Sequence, residues 1–406
     1  MDSLITAAAR ALAQGDVLGA LKRVALRNDA PALALRGIAM ARLGDFERAK
    51  TLLQRAARAF SPKEAVARAR CAVALAEIAL VSRDLGWPAK TLDTAREVLE
   101  THQDYLNAAH ARLLQVRRLV LIGELDAAER QLSRLDPSPF IPVSRAAYEL
   151  AAAGIAIRRV RATVAEEALA RAQKAAQAAG IGALAAEIEA AALGLKAPAA
   201  RLISRGSEQP LALAEVENLL ASDLVIVDAC RHLVRHENAV IPLASRPVLF
   251  ALVRALAEAW PSDVPRSVLV ARAFRGRQAD ESYRARLRVE IGRLRRALRS
   301  VAGIHATQDG FIWVPRRNKR VVVLAQPFEG DNVSLLALLS DGESWSSSAL
   351  GLALGASQRT IQRGLDSLAE AGKVQSFGRG PARRWTAPAL PGITTTLLLP
   401  VFSPGD

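Results

Sequence analysis

Seven arginines lie within sixteen residues: Arg284, Arg286, Arg288, Arg293, Arg295, Arg296 and Arg299. A guanidinium group is planar, always charged and carries five donors in a fixed fork, which suits phosphate oxygens and the acceptor edge of guanine. Among them Leu287, Ile291, Leu294 and Leu298 recur at i, i+4, i+7 and i+11, which predicts a helix from about Ser282 to Arg299 with one apolar seam. The seam turns the arginines onto the faces opposite a core. A soluble helix needs that density of positive charge only beside an anion, and phosphate is the expected one; the plain alternative is a solvated basic face.

The wider charge pattern points to the same stretch. The 406-residue chain holds 55 Lys+Arg against 40 Asp+Glu, a formal net charge of +15. Residues 244–320 hold 17 basic and 6 acidic side chains, whereas residues 1–243 hold 32 and 27, and residues 331–406 hold six of each. Most of the excess therefore belongs to one segment, as expected when a single module grips a polyanion.

Other chemistries lack their residues. Cys71 and Cys230 are far apart, and no CxxC or HExxH spacing occurs among the cysteines and five histidines. His232 and His236 lie near Cys230 but lack a fourth ligand, so they are read as ordinary strand and turn residues. No GxxxxGK[ST] loop, GxSxG elbow or paired-carboxylate motif is present. The expectation is a non-enzyme with no cofactor and no metal. No apolar run approaches the ~18 to 20 residues of a membrane span, so a soluble, cytoplasmic and nucleoid-associated protein is expected.

Around the arginine-rich helix, short β-type runs occur at Leu224–Val227, His232–Val234 and Ala239–Ile241, and a helix with one apolar stripe runs from Arg246 to Ala257. A shorter helix reaches Phe274. After the arginines, His305–Thr307 and Phe311–Val314 flank Gln308-Asp309-Gly310, a tight hairpin turn, and Arg316 and Arg317 follow.

This order of sheet, three helices and hairpin, with "VEIGRLRRAL" and "IHATQDGFIWV", resembles an OmpR/PhoB-type winged helix over about residues 222–317. The resemblance implies that the third helix enters the major groove. Arg286, Val289, Glu290 and Arg293 would then face bases, while Arg284, Arg288, Arg295 and the hairpin would lie nearer phosphates. Arg donates two hydrogen bonds to guanine, Glu accepts from cytosine N4 and Val packs on a thymine methyl. Two departures stand out: Glu290 replaces a usually basic or neutral residue, and no α/β receiver pattern with a phosphorylatable Asp precedes the module.

Residues 1–195 are rich in Ala, Leu and Arg at helical spacing. Gly37, the Gly44-Asp45 turn, then Ala49, Leu53 and Ala56 resemble a tetratricopeptide repeat, and weaker copies surround Gly15-Asp16, Gly86/Pro88 and Gly123-Glu124. A last pair falls at 144–179. The family's large aromatic on the first helix is missing. Such a stack exposes a concave surface that takes a peptide, another protein domain or a second copy. Residues 196–221, with Pro198, Gly206 and Pro210, open the next section as a linker.

The C-terminal run "LGASQRTIQRGLDSLAEAGKVQSFGRGPARRW" resembles a generic bacterial helix-turn-helix with a wing, over residues 331–390. Ser346 and Ser357 are expected helix caps. Gln358, Arg359, Gln362 and Arg363 are expected to face outward, with Arg379, Arg383 and Arg384 on the wing. A module used only for dimer or domain contacts is the alternative. The tail, 391–406, holds an apolar, threonine-rich run from Ile393 to Val401, which reads as an extra strand or a subunit contact.

The combined expectation is a mainly α protein: a helical-repeat domain (1–195), a linker (196–221), a winged helix (222–320), a second winged helix (331–390) and a tail. Its expected function is that of a transcriptional regulator of double-stranded DNA. The repeats would sense a signal, bind RNA polymerase or another protein, or form a homodimer. The rival classes are a replication initiator or chromosome-organising adaptor, and a protein-interaction scaffold.

Overall fold

The computed structural model describes residues 2–85, 89–274, 281–316, 319–327, 332–339, 344–378, 380, 383–386 and 396–400. Among these the chain is mainly helical, with 18 helices and a smaller share of sheet. It divides into two compact units: Met1–Arg159 with Thr163–Gly194 and Asp331–Asp406, and Val160–Ala162 with Leu195–Gly330.

The first unit starts with α1 (Ser3–Ala13), α2 (Val17–Val24), α3 (Ala30–Arg42), α4 (Phe46–Ala59), α5 (Ala65–Val81), α6 (Ala89–Thr101), α7 (Tyr105–Leu121), α8 (Leu125–Leu132), α9 (Pro142–Arg158), α10 (Ala162–Ala179) and α11 (Gly182–Lys196). Their turns share one device. Gly44 has φ +82°, which a glycine tolerates without strain, and the next residue, Asp45, accepts a hydrogen bond from the Arg48 amide at 3.2 Å to cap α4. Asp16 caps α2 in the same way, and Asp104 caps α7. Gly37 lets α3 and α4 close up: a Cβ there would stand 2.7 Å from Leu53 Cγ. Ala49, Leu53 and Ala56 on the facing side of α4 are fully buried.

The second unit contains β1 (Ala200–Ser204), β2 (Ser207–Leu211), α12 (Leu213–Ala221), β3 (Val225–Asp228), β4 (Leu233–His236), β5 (Ala239–Pro242), α13 (Pro247–Ala259), β6 (Val264–Pro265), α14 (Arg266–Phe274), α15 (Glu281–Leu298), β7 (Ala302–Ala306), β8 (Gly310–Pro315) and β9 (Val321–Ala325). Six strands form one sheet in the order β2-β1-β9-β3-β4-β5, with β9 parallel to β3 and antiparallel to β1. Val225, Val227, Val321 and Val323 face a core shared with α13, α14 and α15, while Ile226, Val322 and Leu324 face α12 on the other side. β3 and β9 thus alternate between two buried faces, which explains why both are buried at every position.

Two expectations are corrected here. Residues 196–221 are not a linker: they end α11 and then supply a β-hairpin and a helix. The residues that suggested a linker serve the hairpin. Arg205 and Gly206, at φ +52° and +76°, make its two-residue turn, and Pro210 lies on the edge strand β2, where a missing amide is tolerated. Residues 321–325 also belong to the module, although it was expected to end at 320.

The chain then returns to the first unit with α16 (Val333–Leu339), α17 (Ser347–Leu354), α18 (Gln358–Glu370), β10 (Gln375–Phe377) and β11 (Arg384–Thr386). Ser346 and Ser357 cap α17 and α18 through Ala349 and Thr360. The segment was expected to be a separate domain, yet its described apolar residues share their core with the first unit. Leu335, Trp345, Ile361, Leu365 and Trp385 share one apolar cluster with Leu80, Leu92, Leu99 and Leu114 of α5, α6 and α7. The Arg83 guanidinium, just after α5, lies 5.6 Å from the Trp345 ring centroid.

The last described segment, 396–400, was expected to add a strand or a subunit contact. It joins no sheet among the described residues. It runs between the helices of the first unit, with Leu397 and Leu399 in the core of α1–α5 and Leu398 against α7–α9. No described helix is long and apolar enough to cross a membrane.

Candidate nucleic-acid interface

The arginine-rich helix α15 is held by its seam. Leu287, Ile291, Leu294 and Leu298 are buried against α13, α14 and the β6-β8-β7 sheet. Arg284, Arg286, Arg288, Arg293, Arg295, Arg296 and Arg299 are all exposed, as is Val289. At ~2 kcal/mol for each fully buried aliphatic side chain, the seam outweighs the mutual repulsion of solvated arginines, each pair of which is worth well under ~1 kcal/mol.

The arginines are held in different ways. Arg286 stacks on the Phe274 ring at 4.6 Å. Arg293 donates to Glu290 at 2.8 Å, and the Glu290 side chain is only 13% exposed. An acceptor already engaged by Arg293 is a weaker reader of cytosine than the sequence suggested. Arg295 donates from Nε to the Ile304 carbonyl at 2.7 Å and lies 6.0 Å from the Phe311 ring, so it braces α15 against β7. Arg288, Arg296 and Arg299 have no ion-pair partner among the described residues. Together with Arg246 at the start of α13, Glu290, Arg293 and Arg296 line a cleft of about 700 Å³.

The β7–β8 hairpin stands beside this helix through contacts that were not singled out in the sequence. Arg266, the first residue of α14, donates to the Gln308 and Thr307 carbonyls at 2.8 and 3.1 Å and lies 5.4 Å from the Phe311 ring. Thr307 Oγ1 donates to Asp263 and accepts from the Gly310 amide. Gly310 is required by proximity, since a Cβ there would stand 1.8 Å from the Val264 carbonyl oxygen. Arg316 is exposed at the hairpin's end, and Arg317 lies outside the described residues.

On the C-terminal segment, Ile361, Leu365 and Leu368 point inward. Gln358, Arg359 and Arg363 are exposed and Gln362 is half-buried, lining a shallow surface of about 810 Å³ that also carries Asp366 and Glu370. Gln362 donates to Asp366 at 2.9 Å. Arg383 lies 4.2 Å from the Trp385 ring and donates to Ser376 at 3.1 Å, while Arg384 is half-buried; Arg379 lies outside the described residues. This face mixes signs, so its attraction to a polyanion is weaker than that of α15.

Among the described residues, one group of three donors could hold a metal: Asp223, His236 and Glu237 bring their ligand atoms within 4.8 Å of one another. Lys319 is ion-paired with Asp223, and an arriving cation would have to displace its ammonium. His232 and Cys230 are not part of the group. Burial pushes the Cys71 thiol up to about 12, so it stays protonated at neutral pH.

Sequence reasoning also missed a set of buried carboxylates in the first unit. Glu77, in the otherwise apolar "ALAEIALV" of α5, accepts from His110 Nε2 at 2.8 Å and from the Leu398 and Leu399 amides at 2.5 and 2.8 Å. Glu187 on α11 accepts from Arg117 at 2.7 Å and from the Thr396 amide at 2.8 Å. A lone acidic residue inside an apolar run was the available signal, because a buried charge demands partners. No protein-family model, no curated protein and no solved structure matches the chain.

Proposed function

We propose that the chain is a DNA-binding transcriptional regulator that grips double-stranded DNA with α15 and the β7–β8 hairpin, in the manner of an OmpR/PhoB-type winged helix. The observation that carries the reading is the division of α15, with a leucine–isoleucine seam fully buried on one side and seven exposed arginines on the others. The fixed hairpin beside it supports the same reading, since Arg266 and Arg295 hold it close to the arginine surface. In this reading Arg288, Arg296 and Arg299 meet phosphates, and Arg286, Val289 and Arg293 meet base edges. The tetratricopeptide-like helices serve a protein partner, such as RNA polymerase, or a second copy.

The test is retardation of duplex DNA by the purified full chain at about 50 mM salt, followed by genome-wide mapping of its sites. Binding that falls steeply with salt and concentrates at promoters is the expected outcome. Failure to retard any duplex would overturn the reading. For the C-terminal segment, the core shared with α5–α7 favours a second role, as a structural partner of the repeats rather than a second reader.

A further inference from the structure

The segment 396–400 is bound by the helices of the first unit the way a ligand is. Three consecutive features support this. Its backbone amides at Thr396, Leu398 and Leu399 donate to the carboxylates of Glu187 and Glu77, two side chains that are themselves 8% and 1% exposed. Its leucines take two walls, with Leu397 and Leu399 on α1–α5 and Leu398 on α7–α9, and a left-handed turn at Leu399 (φ +52°) lets two successive amides meet one carboxylate. The slot is larger than its occupant. A cavity of about 260 Å³ remains beside Leu398, Leu399 and Pro400, walled by Leu35 and Ile38 and bounded by Arg42 and His110.

These carboxylates are costly to bury, and no helix amide needs them. Burial alone pushes the Glu77 carboxyl up, but His110 and the Leu398 and Leu399 amides outweigh it and hold the group below its ordinary value. The partners that complete Glu77 and Glu187 are therefore His110, Arg117 and the amides of Thr396, Leu398 and Leu399. Backbone amides exist in every peptide, so the carboxylates fix direction and register while the walls select apolar side chains.

We infer that this slot is a binding site for a Thr-Leu-Leu-Leu-Pro type segment, filled in cis by residues 396–400 and open to a segment of the same chemistry on a partner protein. The inference stands apart from the DNA reading, because the slot lies wholly in the first unit and its test contains no DNA. A ligand on the same chain competes at a fixed effective concentration, so a partner binds only when it outcompetes the resident segment.

The experiment uses the full chain and a fluorescent synthetic peptide of residues 394–400, TTTLLLP, with a control peptide in which the three leucines are aspartates. In the double variant Leu398→Asp and Leu399→Asp the resident segment is expelled, and the variant is expected to bind TTTLLLP at least roughly tenfold more tightly than wild type and to ignore the control. A folded variant that binds TTTLLLP no better than wild type overturns the inference. Should the variant lose its helical circular dichroism, hydrogen exchange on the unaltered chain decides. Saturating TTTLLLP, but not the control, should accelerate exchange in 396–400, and unchanged protection overturns the inference. A wild-type chain that is dimeric while the double variant is monomeric would place the segment in a second copy and overturn the cis arrangement.

Discussion

Arg288 and Arg293 sit on the outer face of one helix, yet they are held differently. Arg288 has no ion-pair partner among the described residues, whereas Arg293 is oriented by Glu290 at 2.8 Å. Arg288→Ala should weaken cognate and random DNA alike and lower the slope of log K against log salt by about 0.9. Arg293→Ala should cost ~1 to 3 kcal/mol on the cognate site and relax the preference at one base. Fluorescence anisotropy titrations across salt separate the two, and identical losses on both duplexes would dissolve the division of roles. Glu77 carries a pH prediction. Its carboxyl is held below the ordinary value by His110 and two amides, so its stabilisation is fully present above about 4.5 and is lost as pH falls through the lower, folded value. The groups facing it are His110 from α7 and the Arg42 guanidinium from α3, and loss of the Glu77 charge removes its attraction to both. Acid titration followed by exchange at Leu398 and Leu399 checks it. At this scale the outward arginines were legible because helical spacing alone sets their direction. Arg266 was not, because its partners, Thr307 and Gln308, arrive from 41 and 42 residues away.

Glycines mark the places where elements meet. Gly310→Ala would drive a methyl group into the Val264 carbonyl, a backbone atom that cannot swing aside, so the β6–β8 pairing must open. We expect a loss of at least ~2 kcal/mol, read by thermal unfolding, together with weaker DNA retention if the hairpin meets phosphates. Gly37→Ala meets Leu53, a side chain with rotamers to spare, and should cost less, about 1 kcal/mol, by the same measurement. Helices were the most legible elements: α13, α15 and α18 each have one apolar stripe and a polar or proline boundary. Strands fared less well. The β1–β2 hairpin was hidden by Gly206 and Pro210, which punctuate loops and hairpins equally, and β9 has no alternation because both of its faces are covered.

The whole molecule is organised by returns of the chain that composition does not reveal. Trp345, Trp385 and their neighbours come back to the helices of the first unit, and 396–400 come back again through Glu77 and Glu187. Neither return was legible, since each depends on partners more than 200 residues away in sequence. β9 is a third return, and it lies in the middle of the six-stranded sheet. A recombinant piece excised at 222–320, the span that its helices and hairpin suggest, would lack that middle and leave β3 with a naked ladder of amides and carbonyls. Such a product should self-associate on sedimentation, whereas one cut at 195–330 should remain monodisperse, because only the longer span brings its own seal for the edge.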